Sequence, residues 1–417
     1  MTNHSVIIKE CLTRDIRFDL KEGEGSDAVN QTPQYSYAVC KLTTNRQIQG
    51  TGLAFTLGAG NELVCEAIGY LARFIEGREI EQLMAGFGAV FREMSNAPNL
   101  RWLGPHKGIV HLALAAVTNA CFDLWAKSRG VPLWKLLLDL SPEDIAGTLD
   151  LSYLEEVLTR SEVIELLHKN RRSKSHIEQV VRTGYRGYDT SIGWFNYSNA
   201  QIQQKVKQSI GQGFTALKLK VGADEQERDI QRAHLVRDAA GEHAQIMVDA
   251  NQRWSLPEAI EVCQKLEEID PYWIEEPTHP DDISAHRELA RQVHPLRLAM
   301  GEHIPNRVVF KNFLQSGAMS FNQVDAVRVG GISEFITISL LSKKFGIPVV
   351  PHVGDMGQIH QHLVLFNQLY VGHEPLFLEH IPHLRDYFKF PAKLADGYYQ
   401  VPEEPGASSD FKDSIMK

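Results

Sequence analysis

The sequence predicts an α/β protein, a (β/α)8-type barrel with an α+β unit ahead of it. Three observations carry this. From Gly184 onward, short apolar runs ending in polar residues alternate with amphipathic helical stretches. The run ends are Asp189, Lys218 with Lys220, Asp249 with Asn251, Glu275, Glu302, Asp325, His352 and Glu379. Their spacing runs from 23 residues (Glu302 to Asp325) to 31 (Lys218 to Asp249), the length of one βα unit. Eight such units close a barrel, whereas a doubly wound sheet usually has fewer and opens on a Gly-rich turn. Ahead of Gly184 the order is different, with strands first and helices after them.

Residues 5–58 read as strands broken by polar loops: SVIIKECLTRDIRF, the loop KEGEGSDAVNQTPQ, then YSYAVCKLTT and GTGLAFTLG. From Glu62 to Leu138 the periodicity is helical. It is clearest in GIVHLALAAVTNACFDLWAKSRG, where Ile109, Leu112, Ala116, Ala120 and Phe122 to Leu124 keep one face apolar. Residues 141–183 are polar, charged and helical in tendency, and read as an inserted or linking segment.

The 417 residues carry 43 Lys+Arg against 52 Asp+Glu, a formal charge of −9, with 43% hydrophobic and 23% charged residues. This globular composition excludes disorder and fibrous repeats. Without a Lys/Arg-dense face no nucleic-acid partner is expected, because phosphate neutralisation needs a basic stripe. Five cysteines, Cys11, Cys40, Cys65, Cys121 and Cys263, lack a CxxC pair and read as reduced thiols. The N-terminus MTNHSVIIKE has no charged stretch leading into an apolar one, and no apolar run reaches about 18 residues. Neither a leader nor a membrane partner is expected, and the reading is cytoplasmic.

Parallel strands buried on both faces should be apolar throughout, so polar strand ends mark the C-terminal face on which barrel sites are built. Asp249, Glu275 and Glu302 end three consecutive strands and converge on one point. Three carboxylates repel unless a cation lies between them, and an all-oxygen set of hard ligands selects Mg²⁺. A single strand-end acid could equally cap the following helix; three on adjacent strands are poorly explained that way. Glu276 follows Glu275, points to the opposite face by alternation, and reads as a packing or surface residue. Asn251 shares a face with Asp249 and could hydrogen-bond a ligand.

Lys218 and Lys220, two apart on one strand, both face the barrel interior. Mutual repulsion and burial are expected to lower their pKa, which moves a lysine toward general-base duty. Lys218 could hold a substrate carboxylate while Lys220 takes a proton. Asp325 and His352 end the sixth and seventh strands, where a carboxylate can orient and charge an imidazole. A base on each side of a divalent cation suits proton abstraction alpha to a carboxylate.

Together KLKVG, VDANQ, WIEEP, GEH, DAVRVGG and PH resemble the enolase superfamily in its mandelate-racemase-like branch. That branch shares a KxK strand, three carboxylate ligands and a His–Asp dyad. GSDAVN, GLAFTLGAGNE, LRWLGPHKGIVHLA, FDLWAK, PLWKLL, WIEEPTHPDDI, HIPNRVVFKN and HLRDYFKFP are similar to the L-fuconate dehydratase family, over nearly the whole chain. The resemblance implies an enolase-like modified TIM barrel over residues 146–384. It also implies an α+β capping domain over 1–145, completed by segment 385–417, whose loop Gly23–Tyr35 closes over the barrel mouth.

By matching position the resemblance assigns Mg²⁺ to Asp249, Glu275 and Glu302, and removal of the C2 proton to Lys220. His352, paired with Asp325, would expel the C3 hydroxyl, Lys218 would assist at the carboxylate, and Glu379 would lie near the substrate. Asp27, in the closing loop, and Trp102 join Asn251 and Glu379 as candidate substrate contacts, Trp102 being equally readable as a buried interface aromatic. The implied activity is a Mg²⁺-dependent hydro-lyase acting on an acid sugar, above all L-fuconate dehydratase. Its product is a 2-keto-3-deoxy acid after tautomerisation. A racemase or epimerase, or a binding protein on the same fold, is the alternative. Barrels of this kind often assemble through apolar helix faces, so a homo-oligomer is expected.

One stretch departs from the family. Where these dehydratases usually read like PHxGGxGLxE, this chain has PHVGDMGQIHQHL, about two residues shorter and without the acidic residue; Asp355, Gln358 or His360 stands there. That loop faces the substrate, so a change there bears on the distal carbons of the sugar more than on the reaction type. Gly58-Ala59-Gly60 reads as a turn, because Leu63 stands where a dinucleotide fingerprint needs its third glycine. His360, His362, His373, His380 and His383 fit no zinc-ligand spacing and read as loop or helix-face residues.

Overall fold

The structure, a computed structural model, describes residues 5–416. The leader reading rests partly on residues 1–4, which lie outside the described residues. Strands β1 (Ile8–Phe18), β2 (Tyr35–Thr44) and β3 (Gly50–Thr56) form an antiparallel sheet in that order, and Phe18 pairs with Tyr35, so the intervening loop leaves from one end of the sheet. Helix Gly108–Ser128 lies across it at a distance only glycine permits: a Cβ on Gly52 would stand 2.0 Å from the Ala116 carbonyl oxygen and 2.3 Å from the Ala120 nitrogen. By length and composition this helix could cross a membrane, yet 83% of its apolar stretch is buried within the protein.

The polar residues of that helix are its joints. The Asn119 side-chain amide donates to the carbonyls of Leu53 (3.2 Å) and Ala326 (2.9 Å), and its oxygen accepts from Ile332 N (2.9 Å). Asp123 accepts from Thr51 N and Ala407 N, each at 2.7 Å, which fastens the C-terminal segment to the first sheet. Residues 141–183 fold into helices Pro142–Gly147, Arg160–Asn170 and Lys174–Thr183, the first two opened by capping boxes at Ser141 and Thr159.

The barrel follows. Strands β4 (Tyr185–Gly193), β5 (Ala216–Lys220), β6 (Gln245–Asp249), β7 (Trp273–Glu275), β8 (Leu298–Met300) and β9 (Phe321–Asn322) pair in parallel in chain order. Asn322 then bridges Val349, and β10 (Leu378–His380) pairs in parallel with β4. A hairpin of β11 (Leu394–Ala395) and β12 (Tyr398–Tyr399) is added to the start of β4.

One buried residue from each of the eight barrel segments forms a separate apolar plug: Tyr188, Ala216, Met247, Trp273, Ala299, Phe321, Val350 and Phe377. The period of two then puts Thr190, Lys218, Lys220, Asp249, Glu275 and Glu379 on the same interior side, above the plug. This parity corrects one of the expected strand ends. Asp189 lies between Tyr188 and Thr190, so it faces away from the interior, and its carboxylate accepts from Ser191 N (2.8 Å) and Ser191 Oγ (2.7 Å). All five cysteines are free thiols.

Candidate active site

Asp249 and Glu275 are the last residues of β6 and β7, and Glu302 lies two beyond β8. All three are buried, and each offers an oxygen within 4.8 Å of the others. Two ammonium groups share these oxygens. Lys220 Nζ stands 2.5 Å from Asp249 Oδ2, and Lys218 Nζ lies 2.6 Å from Glu275 Oε1, 2.8 Å from Glu379 Oε1 and 3.4 Å from Asp249 Oδ2. Against the expectation from spacing, both lysine pKa values are raised. Burial works most strongly to lower them, but the surrounding anions together more than offset it, Asp249 with Glu302 and Glu275 at Lys220, and Glu275 and Glu379 with Tyr188 and Asp249 at Lys218.

The acids respond unequally. Burial opposes ionisation of Asp249, yet Lys220 and Lys218 hold its carboxyl well below the usual range. Glu275 is pushed up to about 8 by burial and by the neighbouring Asp249 carboxylate. Glu302 is raised by burial, and its Oε2 has no hydrogen-bond partner, although His352 Nε2 stands 3.1 Å away. The donor set is therefore all oxygen, buried and acid-rich, with one atom unpartnered: the make-up of a Mg²⁺ site.

His352 lies on the far side of these carboxylates in strand order. Its Nδ1 is 2.7 Å from Asp325 Oδ2, which also accepts from Gly354 N at 3.0 Å. Burial works against a charge on the ring, but Glu302 and Asp325 more than offset it and raise its pKa to about 9. A carboxylate thus faces each of its ring nitrogens, Asp325 at Nδ1 and Glu302 at Nε2.

The other expected residues divide. Glu379 is buried, bonded by Thr190 Oγ1 (2.5 Å), and together with Asn251 and Asp27 it lines a small cavity of about 60 Å³ beside Lys220, Glu302 and His352. Asn251 adopts φ 44°, and its Oδ1 is buried without a partner. Asp27 Oδ1 accepts from Val29 N (2.7 Å) and Asn30 N (2.6 Å), so its carboxylate shapes the Gly23–Tyr35 loop over this cavity. Trp102 is 92% exposed and is no part of the lining, which corrects its reading as a substrate contact or a buried interface aromatic. Glu276 is buried rather than at the surface. A φ of 41° breaks the strand alternation there and turns its carboxylate to His303 Nδ1 (2.9 Å) and Gln252 Nε2 (2.7 Å).

Sequence reasoning missed Thr190, Trp194, His303 and Arg328, all of which line the cavity. The signal for Thr190 was present, since it shares parity with Tyr188. His360 opens helix His360–Phe366, as its reading as a loop or helix-face residue has it, but its ring is fully buried between two carboxylates, Asp325 and Asp355.

A family model described as Enolase C-terminal domain-like matches residues 201–415. The chain is 40% identical to human "Mitochondrial enolase superfamily member 1" over 98% of its length and 95% of that protein's. It is 38% identical to the L-galactonate dehydratase of Hypocrea jecorina, over 97% of this chain and 92% of that one. The crystal structure of the human protein superposes with a TM-score of 0.96 at 39% identity, covering 99% of this chain and 96% of the other.

Proposed function

The chain belongs to the Enolase C-terminal domain-like family of the enolase superfamily, and on that premise we propose that it is a Mg²⁺-dependent acid-sugar dehydratase, with L-fuconate as the specific substrate. One observation carries the reading. A lysine pair from β5 and an imidazole–carboxylate pair from the sixth and seventh strands flank three carboxylates supplied by the strands between them.

Asp249, Glu275 and Glu302 would hold the cation. Bound there, Mg²⁺ supplies positive charge for the negative charge that develops on the substrate carboxylate. Lys220 removes the C2 proton; its Nζ lies at the cavity, whereas Lys218 is fully buried below and ties Glu275 to Glu379 while lending positive charge to the carboxylate end. On the opposite face His352 Nε2 donates a proton to the C3 hydroxyl, which departs as water as the C3–O bond breaks. The product is an enol, and it tautomerises to the 2-keto-3-deoxy acid.

L-Fuconate is L-galactonate lacking the C6 hydroxyl, so the two acids present the same C2 and C3 to these groups. The name of the Hypocrea jecorina relative therefore supports the reaction type and leaves C6 as the point of discrimination. The test supplies Mg²⁺-loaded protein with each acid and reads the 2-keto acid as its semicarbazone, with an EDTA control. Turnover of L-fuconate that EDTA abolishes is expected. Deuterium exchange at C2 with no keto acid from any acid sugar would overturn the dehydratase in favour of a racemase or epimerase.

A further inference from the structure

We propose that His360 and Asp355 form a second imidazole–carboxylate pair that positions Asp325, and through it the acid His352; the inference rests on the dehydratase reading. The groups make one chain: Glu302 Oε2 to His352 Nε2, 3.1 Å; His352 Nδ1 to Asp325 Oδ2, 2.7 Å; Asp325 Oδ1 to His360 Nε2, 3.2 Å; His360 Nδ1 to Asp355 Oδ1, 2.7 Å. Asp325, His360 and Asp355 are all fully buried. The pair arises in the stretch that departs from the family, PHVGDMGQIHQHL, where the usual acidic residue is missing.

Asp355 is fixed before it meets the ring. Its carboxylate accepts from the backbone of Gly357 (3.0 Å), Ile359 and His360 (3.3 Å), which closes the turn that carries His360 inward. His360 has a partner in either protonation state. A neutral ring accepts at Nε2 from Ala326 N, 2.9 Å away, and a charged ring donates there to Asp325 Oδ1. Both bonds fix the Asp325–Ala326 segment, and neither touches the lysines. The pair therefore acts on the hydroxyl-expelling face of the site and leaves the proton-abstracting face alone.

The experiment compares His360→Leu, His360→Gln and Asp355→Asn with the wild type on an acid that the wild type dehydrates, measuring dehydration and C2 deuterium exchange separately. His360→Leu is expected to lower kcat for dehydration about 10- to 100-fold, as loss of a supporting partner does elsewhere, with KM within about twofold and C2 exchange within about threefold. His360→Gln, whose amide can bond Asp325 or Ala326, recovers part of the loss. Asp355→Asn gives the same split if the leucine variant fails to fold. An equal fall in exchange and dehydration, or no fall in either, would overturn the proposal. A second readout needs no turnover: in ¹⁵N-histidine-labelled protein the His352 Nδ1–H resonance should shift in His360→Leu, and an unmoved resonance in the folded variant sinks the idea. Wild-type protein that dehydrates no acid refutes the reaction reading instead, and the resonance still decides this one.

Discussion

Replacing Glu334 with Gln should destabilise the protein by about 3–5 kcal/mol at pH 7. Glu334 opens helix Ile332–Lys344 and is fully buried. It ties that helix to helix Gly108–Ser128 through His111 and to helix Arg307–Ser316 through Arg307. Oε2 accepts from His111 Nε2 (2.6 Å) and Gly330 N (2.7 Å), and Oε1 from Arg307 N (3.2 Å) and Arg307 Nη1 (3.0 Å). Whichever oxygen becomes an NH₂ group, two donors lose their acceptor and face another donor. Each such loss costs about 1.5–3 kcal/mol where a charged group is involved, so two give about 3–6 kcal/mol, in line with the cost of about 3–5 kcal/mol for breaking a buried ion pair. Urea unfolding followed by tryptophan fluorescence would measure it. Glu62→Gln, which removes an exposed pair with Arg17, should cost far less and serves as the control. The pH dependence has a definite sign. Burial pushes the Glu334 carboxyl up, but His111 and Arg307 outweigh it and hold it below its ordinary value of 4.5. A depressed carboxylate contributes fully above its unfolded pKa, and that contribution is lost as pH falls toward the folded one. The gap between wild type and variant should therefore be full at pH 7 and narrow below about pH 4.5. A variant within about 1 kcal/mol of wild type at pH 7 would refute the reasoning.

Three further outcomes follow from the site. Lys220→Ala should cut C2 deuterium exchange at least about a hundredfold, read by proton NMR in D₂O, and undiminished exchange would remove Lys220 as the base. Glu302→Gln should weaken Mg²⁺ binding by at least about tenfold in calorimetry, and unaltered affinity would take Glu302 out of the ligand set. Trp102→Ala, at a side chain 92% exposed, should leave kcat/KM within about twofold, while a tenfold loss would return Trp102 to the site.

What could be read in advance follows from periodicity. YSYAVCKLTT begins and ends where β2 does, and VDAN and WIEE place Asp249 and Glu275 at the last positions of their strands, because buried parallel strands tolerate polar residues only at the mouth. Periodicity stops where the backbone leaves the strand. At Glu276 a positive φ reverses the side chain that alternation would send outward, and Gln252 and Asn251 share that conformation. Asp189 went astray for a different reason. Polarity alone selects Asp189 as the strand end, whereas parity with Tyr188 selects its neighbour Thr190. The partners of His360 are not legible in the sequence, since Asp325 lies 35 residues earlier and is reached only through the turn that Asp355 closes.

The charge of the lysines shows the same limit acting on chemistry. Two ammonium groups on one strand repel, and from the strand alone a lowered pKa follows. The anions that reverse this outcome come from other strands: Asp249, 29 residues after Lys220, and Glu275, 57 after Lys218. Asp249 is at once the partner that keeps Lys220 protonated and one of the three oxygen donors set for a divalent cation. On the dehydratase proposed above, a cation held by Asp249 would withdraw the anion opposite Lys220 and add positive charge beside it, so metal binding and the basicity of the lysine would be linked through that carboxylate.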